Sequence, residues 1–160
     1  MRSNKWTIHR KEIKMKILMK SIFFVLIVLI SRSNILLAQN ESESAVKTTL
    51  TKLFDFSKSK SYEKAASYIA YEGEDKNRVG KESFNAVNKD ELNQVKRVCK
   101  KISALIDLSS KHEFGKFNIQ KDGEKESYSM EVNFVSGDQK LVTSFNLIKA
   151  GKELLLTNMN

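Results

Sequence analysis

From residue 44 onward the sequence predicts an α+β domain, with three helices followed by an antiparallel meander of four strands. Two observations predict it. Apolar residues recur with a 3.6-residue period over 44–58, 62–70 and 89–108, and with a period of two after Ser109-Ser110-Lys111. The second half is then divided by Asp122-Gly123, Ser136-Gly137-Asp138 and Ala150-Gly151, all of them hairpin sequences. Helices that all precede the strands are expected to pack on one face of a curved sheet.

Residues 15–38, upstream of this domain, read as a secretory signal peptide. Lys14, Lys16 and Lys20 make a basic flank, Ile22 to Ile30 is an unbroken apolar run, and short polar and small residues lead to Ala38. A membrane span needs roughly 18–20 apolar residues, about twice this run. The basic flank stays inside and Glu41 and Glu43 go out. Cleavage after Ala38 or after Ser33 fits a small final leader residue. Ala38 is preferred because it also removes the apolar Ile35-Leu36-Leu37. The competing reading is an uncleaved anchor over 17–38, in which Arg32 would cost about 2.5–3.5 kcal/mol at mid-bilayer. No cysteine lies between residues 31 and 40, so a lipoprotein anchor has no attachment point. Residues 1–14 form a hydrophilic extension foreign to signal peptides, and Met15 or Met19 is the expected start. The expected organisation is a leader over 1–38, a mobile polar lead-in over 39–43 and one α+β domain over 44–160. The expected location is the bacterial periplasm or the exterior.

Removing the leader changes what composition implies. The net charge of the chain is +9, but residues 1–38 hold eight Lys and Arg against one Glu. The remaining 122 residues carry 20 basic and 18 acidic side chains, a net charge of +2. Nucleic-acid binding needs a basic surplus gathered on one face, and this balance does not point to it. A chain of this length forms one domain that buries roughly two thirds of its surface. Cys99 is the only cysteine, so an exported chain would hold its fold without an internal disulfide.

The first helix is predicted over 44–58. Val46, Leu50, Leu53, Phe54 and Ser57 share a face, Ser44 is the N-cap, and Lys58 sits at the C-terminal end where a cation is favoured. After Lys58-Ser59-Lys60, Ser61 caps a second helix over 62–70, with Tyr62, Ala65, Ala66 and Ile69 on one face. Glu72 to Asn88 is polar and aperiodic, with a short strand or turn expected near Val79 to Phe84. The third helix, 89–108, carries Leu92, Val95, Val98, Cys99, Ile102, Leu105 and Ile106 at helical spacing. Asn88 is its cap, and Asp90 and Glu91 lie in its first turn. Phe117 and Ile119 give a weak first strand. Tyr128, Met130, Val132 and Phe134 alternate with polar residues in the second strand. The third, around Leu141 to Ile148, is apolar on both faces, and Leu154 to Leu156 give the last.

Ser61-Tyr62-Glu63-Lys64-Ala65-Ala66-Ser67-Tyr68-Ile69, together with the order of three helices before a long-stranded meander, resembles the nuclear transport factor 2-like superfamily. The likeness covers roughly residues 44–158, and the phrase is similar to the second helix of small exported members. It implies a cone-shaped, cystatin-like fold. The superfamily holds isomerases, cyclases and dehydratases, with Asp, Tyr or His inside the cone, and also non-enzymatic domains. No motif here takes those residues over position by position, and fold alone does not give function.

His112 is the only histidine after the leader. It is a candidate general base with Asp107 or Glu113, set against a plain loop histidine. One histidine without a histidine–carboxylate spacing makes no metal site, and no cofactor is expected. Cys99 lies within the apolar stripe of the third helix, where a thiol behaves as a small hydrophobe and a poor nucleophile. Lys96, Arg97, Lys100 and Lys101 form a basic strip, read as a solvated face or as a contact for anionic lipid, glycan or an acidic partner. Glu72, Glu74, Asp75, Lys76 and Arg78 read as a charged turn or as a rim loop over a pocket. Tyr62, Tyr68, Tyr71 and Tyr128 are candidate ligand-lining residues, set against core packing with the hydroxyl outward. The expected function is a non-catalytic exported domain that binds a small apolar ligand or an envelope protein. A homodimer through the sheet is a further option, and any membrane contact would come through an uncleaved leader. The alternative is a small isomerase- or hydrolase-type enzyme using His112 and Asp107.

Overall fold

A computed structural model describes residues 39–123 and 125–160. The leader, its two cleavage points, Trp6 and the alternative start codons lie outside the described residues. Ser42–Asn160 form one unit, and the architecture below is that of this unit.

Residues 39–58 are helical and form α1. The sequence predicts a helix start at the Ser44 cap, with residues 39–43 leading in; residues 39–43 are instead already helical. No Gly or Pro interrupts 39–58, so the helix runs through Ser44, whose carbonyl accepts the Thr48 hydroxyl at 2.9 Å. Glu43 and Lys47 pair one turn apart at 2.7 Å. The predicted face is the one that buries: Val46, Leu50, Leu53, Phe54 and Ser57 are all out of contact with water. The helix closes on Lys60, whose φ is 56°. The Ser61 N–H reaches the Phe56 carbonyl at 2.9 Å and the Lys60 N–H reaches the Ser57 carbonyl at 3.3 Å. This is the paired bonding of a Schellman stop, with lysine where glycine is usual.

α2 covers Tyr62–Ala66 and is shorter than predicted. Ser61 precedes it without capping through its side chain; its hydroxyl bonds that of Ser59 at 3.0 Å. The chain leaves the helix early because it becomes edge backbone for the sheet. The Ala70 N–H donates to the Leu156 carbonyl at 2.8 Å, and the Leu156 N–H donates to Tyr68 at 2.9 Å. Ala70 also bridges Ser83.

α3 covers Lys89–Asp107, within one residue of its predicted span. The Asn88 side chain accepts from the Asp90 and Glu91 N–H groups, as an N-cap should. Val95, Cys99 and Ile102 are fully buried on its inner face.

The sheet has the order β1-β2-β3-β4 and is antiparallel throughout. β1 is Lys111–Asp122, β2 Lys125–Ser136, β3 Gln139–Ala150 and β4 Glu153–Met159. β1 is far longer than the weak strand read around Phe117 and Ile119. A bulge between Phe114 and Phe117 breaks its alternation, and its many charges mask the period. Gly137 and Gly151 take positive φ at the two later turns, as tight hairpins require.

One sheet face and the helices enclose a single apolar core. Met130, Val132, Phe145, Leu147 and Leu156 meet Val46, Leu50, Leu53, Ala65, Val95 and Ile102 there. β3 is apolar on both sides but buried mainly on one: Thr143, Phe145 and Leu147 face inward, whereas Val142 on the other face is exposed. Leu155 is the exception on β4, buried outside the main core and facing the 78–85 segment.

Candidate functional site

The C-terminal end of α3 positions an apolar groove. Leu108 still has helical backbone and its N–H returns to the Ala104 carbonyl. Two residues later the Ser110 N–H and hydroxyl both donate to the Val135 carbonyl, at 2.7 and 3.0 Å. This anchors the helix end to β2. The β2–β3 ladder continues beyond that point to Ser136 opposite Gln139. Leu141, paired with the buried Phe134, thus lies on the inner face of the sheet, where none of the described helices buries it.

The resulting groove holds about 460 Å³ between Leu105, Leu108, Phe134 and Leu141. Leu108 is 76 % exposed and Leu141 is 54 % exposed. Among the described residues, Lys140 is the only charged one lining it. A volume of this size lies in the range used for small-ligand sites, roughly 300–1,000 Å³.

One sequence signal marks this site, and it lies outside the helical stripe predicted for α3. Leu108 falls on the Arg97–Lys101 side of α3, away from the buried stripe of Val95, Cys99 and Ile102. A leucine off the core stripe is the mark of a surface apolar contact.

A second depression, about 530 Å³ and polar, is organised by Arg78. The guanidinium binds Glu91 through two hydrogen bonds of 2.9 and 3.1 Å and Glu82 at 2.8 Å, and it lies 3.9 Å from the centre of the Tyr71 ring. Glu91 also accepts the Asn85 N–H at 2.6 Å. The Arg78 bonds hold the Glu91 carboxyl below its usual range, against the opposing effect of burial. The segment read as aperiodic is therefore fixed to α3 by one buried carboxylate. Val79 and its neighbours form a turn, and Ser83 makes the bridge to Ala70.

His112 opens β1 and is exposed. Its ring meets the edge of Phe54 at 5.4 Å and lies near Phe134 at 6.1 Å. The Asp107 carboxylate instead accepts the Ser103 hydroxyl at 3.1 Å, and Glu113 pairs with Lys111 at 2.8 Å. Among the described residues no hydrogen bond or ion pair joins His112 to either carboxylate, so the structure does not assemble that pair. Cys99 is buried beside Ser57, and burial pushes its thiol up while the serine hydroxyl partly offsets this.

None of the four tyrosines lines either of the two depressions described above. Tyr62 and Tyr68 are half-buried under Lys96 and Lys52 respectively. Tyr71 packs on Phe84 beneath Arg78, and its hydroxyl accepts the Asp75 N–H at 3.3 Å. Tyr128 is buried against Phe117 and donates to Glu126. Burial first, and then that carboxylate, push its phenol up to about 12.

Among the described residues, no three His, Cys, Asp or Glu side chains cluster to hold a metal ion. No helix among them is long and apolar enough to cross a membrane. Comparison with protein families, curated proteins and solved structures finds no match to the chain.

Proposed function

We propose that this chain is an exported binding domain that takes an apolar ligand in the groove between the end of α3 and the β2–β3 hairpin. The observation that carries the reading is the pair of exposed leucines, Leu108 and Leu141, flanking a concave site whose floor is Phe134. Full burial of a leucine is worth about 1.5–3 kcal/mol, and a bound apolar group recovers the part of it that these two half- to three-quarters-exposed side chains forgo. Export rests on the leader sequence. A cone-shaped arrangement like that of nuclear transport factor 2-like proteins is supported by the helices-then-meander order and by the packing of the helices against one sheet face. In this reading the groove is the open mouth of the cone.

Nile red, a neutral apolar fluorophore, tests the site on the full chain. Its emission is expected to rise with the wild type and to be lost with Leu108→Asp or Leu141→Asp. Both positions are exposed, so these variants should keep their stability to within about 0.5 kcal/mol. Equal emission from all three proteins would sink the groove as the site. Export is tested separately by fractionating cells and sequencing the N-terminus, with Gln39 as the expected first residue.

A further inference from the structure

A cationic stripe lies on the helix that carries the groove's Leu105, with Leu108 just past its end. Arg97, Lys101 and Leu108 follow at i, i+4 and i+11, which places them on one face of α3. Lys101 also precedes the groove-lining Leu105 by one turn. Lys96 and Lys100 flank the stripe, so six residues carry four cations and no carboxylate. Arg97, Lys100 and Lys101 are exposed, and among the described residues none of the four cations makes an ion pair. Asp107, the next acid along α3, has its carboxylate on the Ser103 hydroxyl, and the groove lining contains no acid. The surface therefore has an apolar end and a cationic end. At 1.5 Å per residue, Lys101 stands roughly 10 Å along the axis from Leu108.

On the basis of the groove reading above, we infer that the ligand is a single-chain anionic amphiphile, its hydrocarbon chain between Leu105, Leu108, Phe134 and Leu141 and its head group at Lys101 and Arg97. The geometry separates the two ends by a distance that an acyl chain spans. Burying the chain supplies the affinity. The cations choose the head group and speed encounter, and because they are exposed their effect weakens with salt. A neutral chain of the same length gains only the first contribution, and a cationic head group is repelled.

Titration calorimetry on the full chain tests this with dodecanoate, dodecanol and dodecyltrimethylammonium, each below its aggregation concentration. Dodecanoate is expected to bind about fivefold more tightly than dodecanol at low salt. The double variant Arg97→Gln/Lys101→Gln should reduce that preference to what the groove-lining Lys140 alone supplies and leave dodecanol binding unchanged; an undiminished preference overturns the assignment of the head group to Arg97 and Lys101. Leu108→Asp should remove binding of both. Equal affinity for dodecanoate and dodecanol overturns the head-group assignment while the groove stands. No binding of either chain, or binding that Leu108→Asp leaves intact, overturns the groove reading itself. Association with anionic phospholipid vesicles without any response to monomeric dodecanoate also overturns the inference, in favour of a membrane surface as partner.

Discussion

Glu91 stands in the first turn of α3, where a carboxylate complements the helix dipole whether it is buried or exposed. Sequence alone gives that role. What it hides is that the same carboxylate is 7 % exposed and holds Arg78 and the Asn85 backbone in place. The partner lies thirteen residues away in a stretch without periodicity, so no local pattern announces the pair. Replacing Glu91 by Ala should cost about 1–2 kcal/mol, modest for a buried charge because water still reaches the Arg78 side. A melting experiment would then record a fall of about 5 °C. The pH dependence has a definite sign. The Glu91 carboxyl is depressed in the folded state, so its contribution is present above the unfolded carboxylate value, near 4.3, and is lost as pH falls through the depressed folded value. Glu91→Gln should flatten that acid limb of a stability–pH curve; an unchanged limb would show that another group controls it. Tyr128 works in the opposite sense. Its phenol is raised to about 12, so its contribution is complete below the unfolded value near 10 and is lost as pH rises through 12. An ultraviolet titration should show one phenolate forming late, and Tyr128→Phe should abolish it.

At the level of elements, legibility followed how much of each period survived in the sequence. α3 was readable because its cap, first turn and apolar stripe agree with one another. The inner face of α1 was readable for the same reason, but its start was not, because a helix can run through Ser44 as easily as begin there. β1 was nearly invisible: Lys111, Glu113, Lys116 and Lys121 crowd it, and the bulge at Gly115 and Lys116 shifts the inward set by one position. The groove depends on where two elements end relative to each other, and no single-element pattern records that. The end of α1 gives an element-scale prediction. Lys60 occupies the left-handed position of a Schellman stop at φ 56°, where a Cβ carries a steric cost. Lys60→Gly should stabilise the domain by about 0.5–1 kcal/mol, a gain that urea unfolding would read as a raised midpoint at constant slope. A lowered midpoint would mean that lysine side-chain contacts outweigh the backbone strain.

Across the whole unit, one core ties the layers together. Leu50 comes from α1, Ile102 from α3 and Leu147 from β3, and all three are fully buried in the same apolar cluster. Cys99 lies among them as a free thiol, so no covalent cross-link joins helices to sheet. The consequence is cooperative unfolding. Removing atoms from either layer should weaken the whole unit rather than one layer of it. Leu50→Ala and Leu147→Ala should each cost about 3 kcal/mol, a large share of a typical 5–15 kcal/mol, and lower the melting temperature by roughly 10 °C. In each variant, far-ultraviolet circular dichroism, dominated by the helices α1 and α3, and the amide I infrared band of the strands should melt together. The Cys99 thiol offers a third probe. Burial keeps it protonated and covered, so labelling by a thiol reagent should be slow in the native protein, and in either variant it should accelerate by the factor that the lost stability predicts. Separate melting of the two signals, or fast labelling of Cys99 while both remain native, would show that α3 opens independently of the sheet.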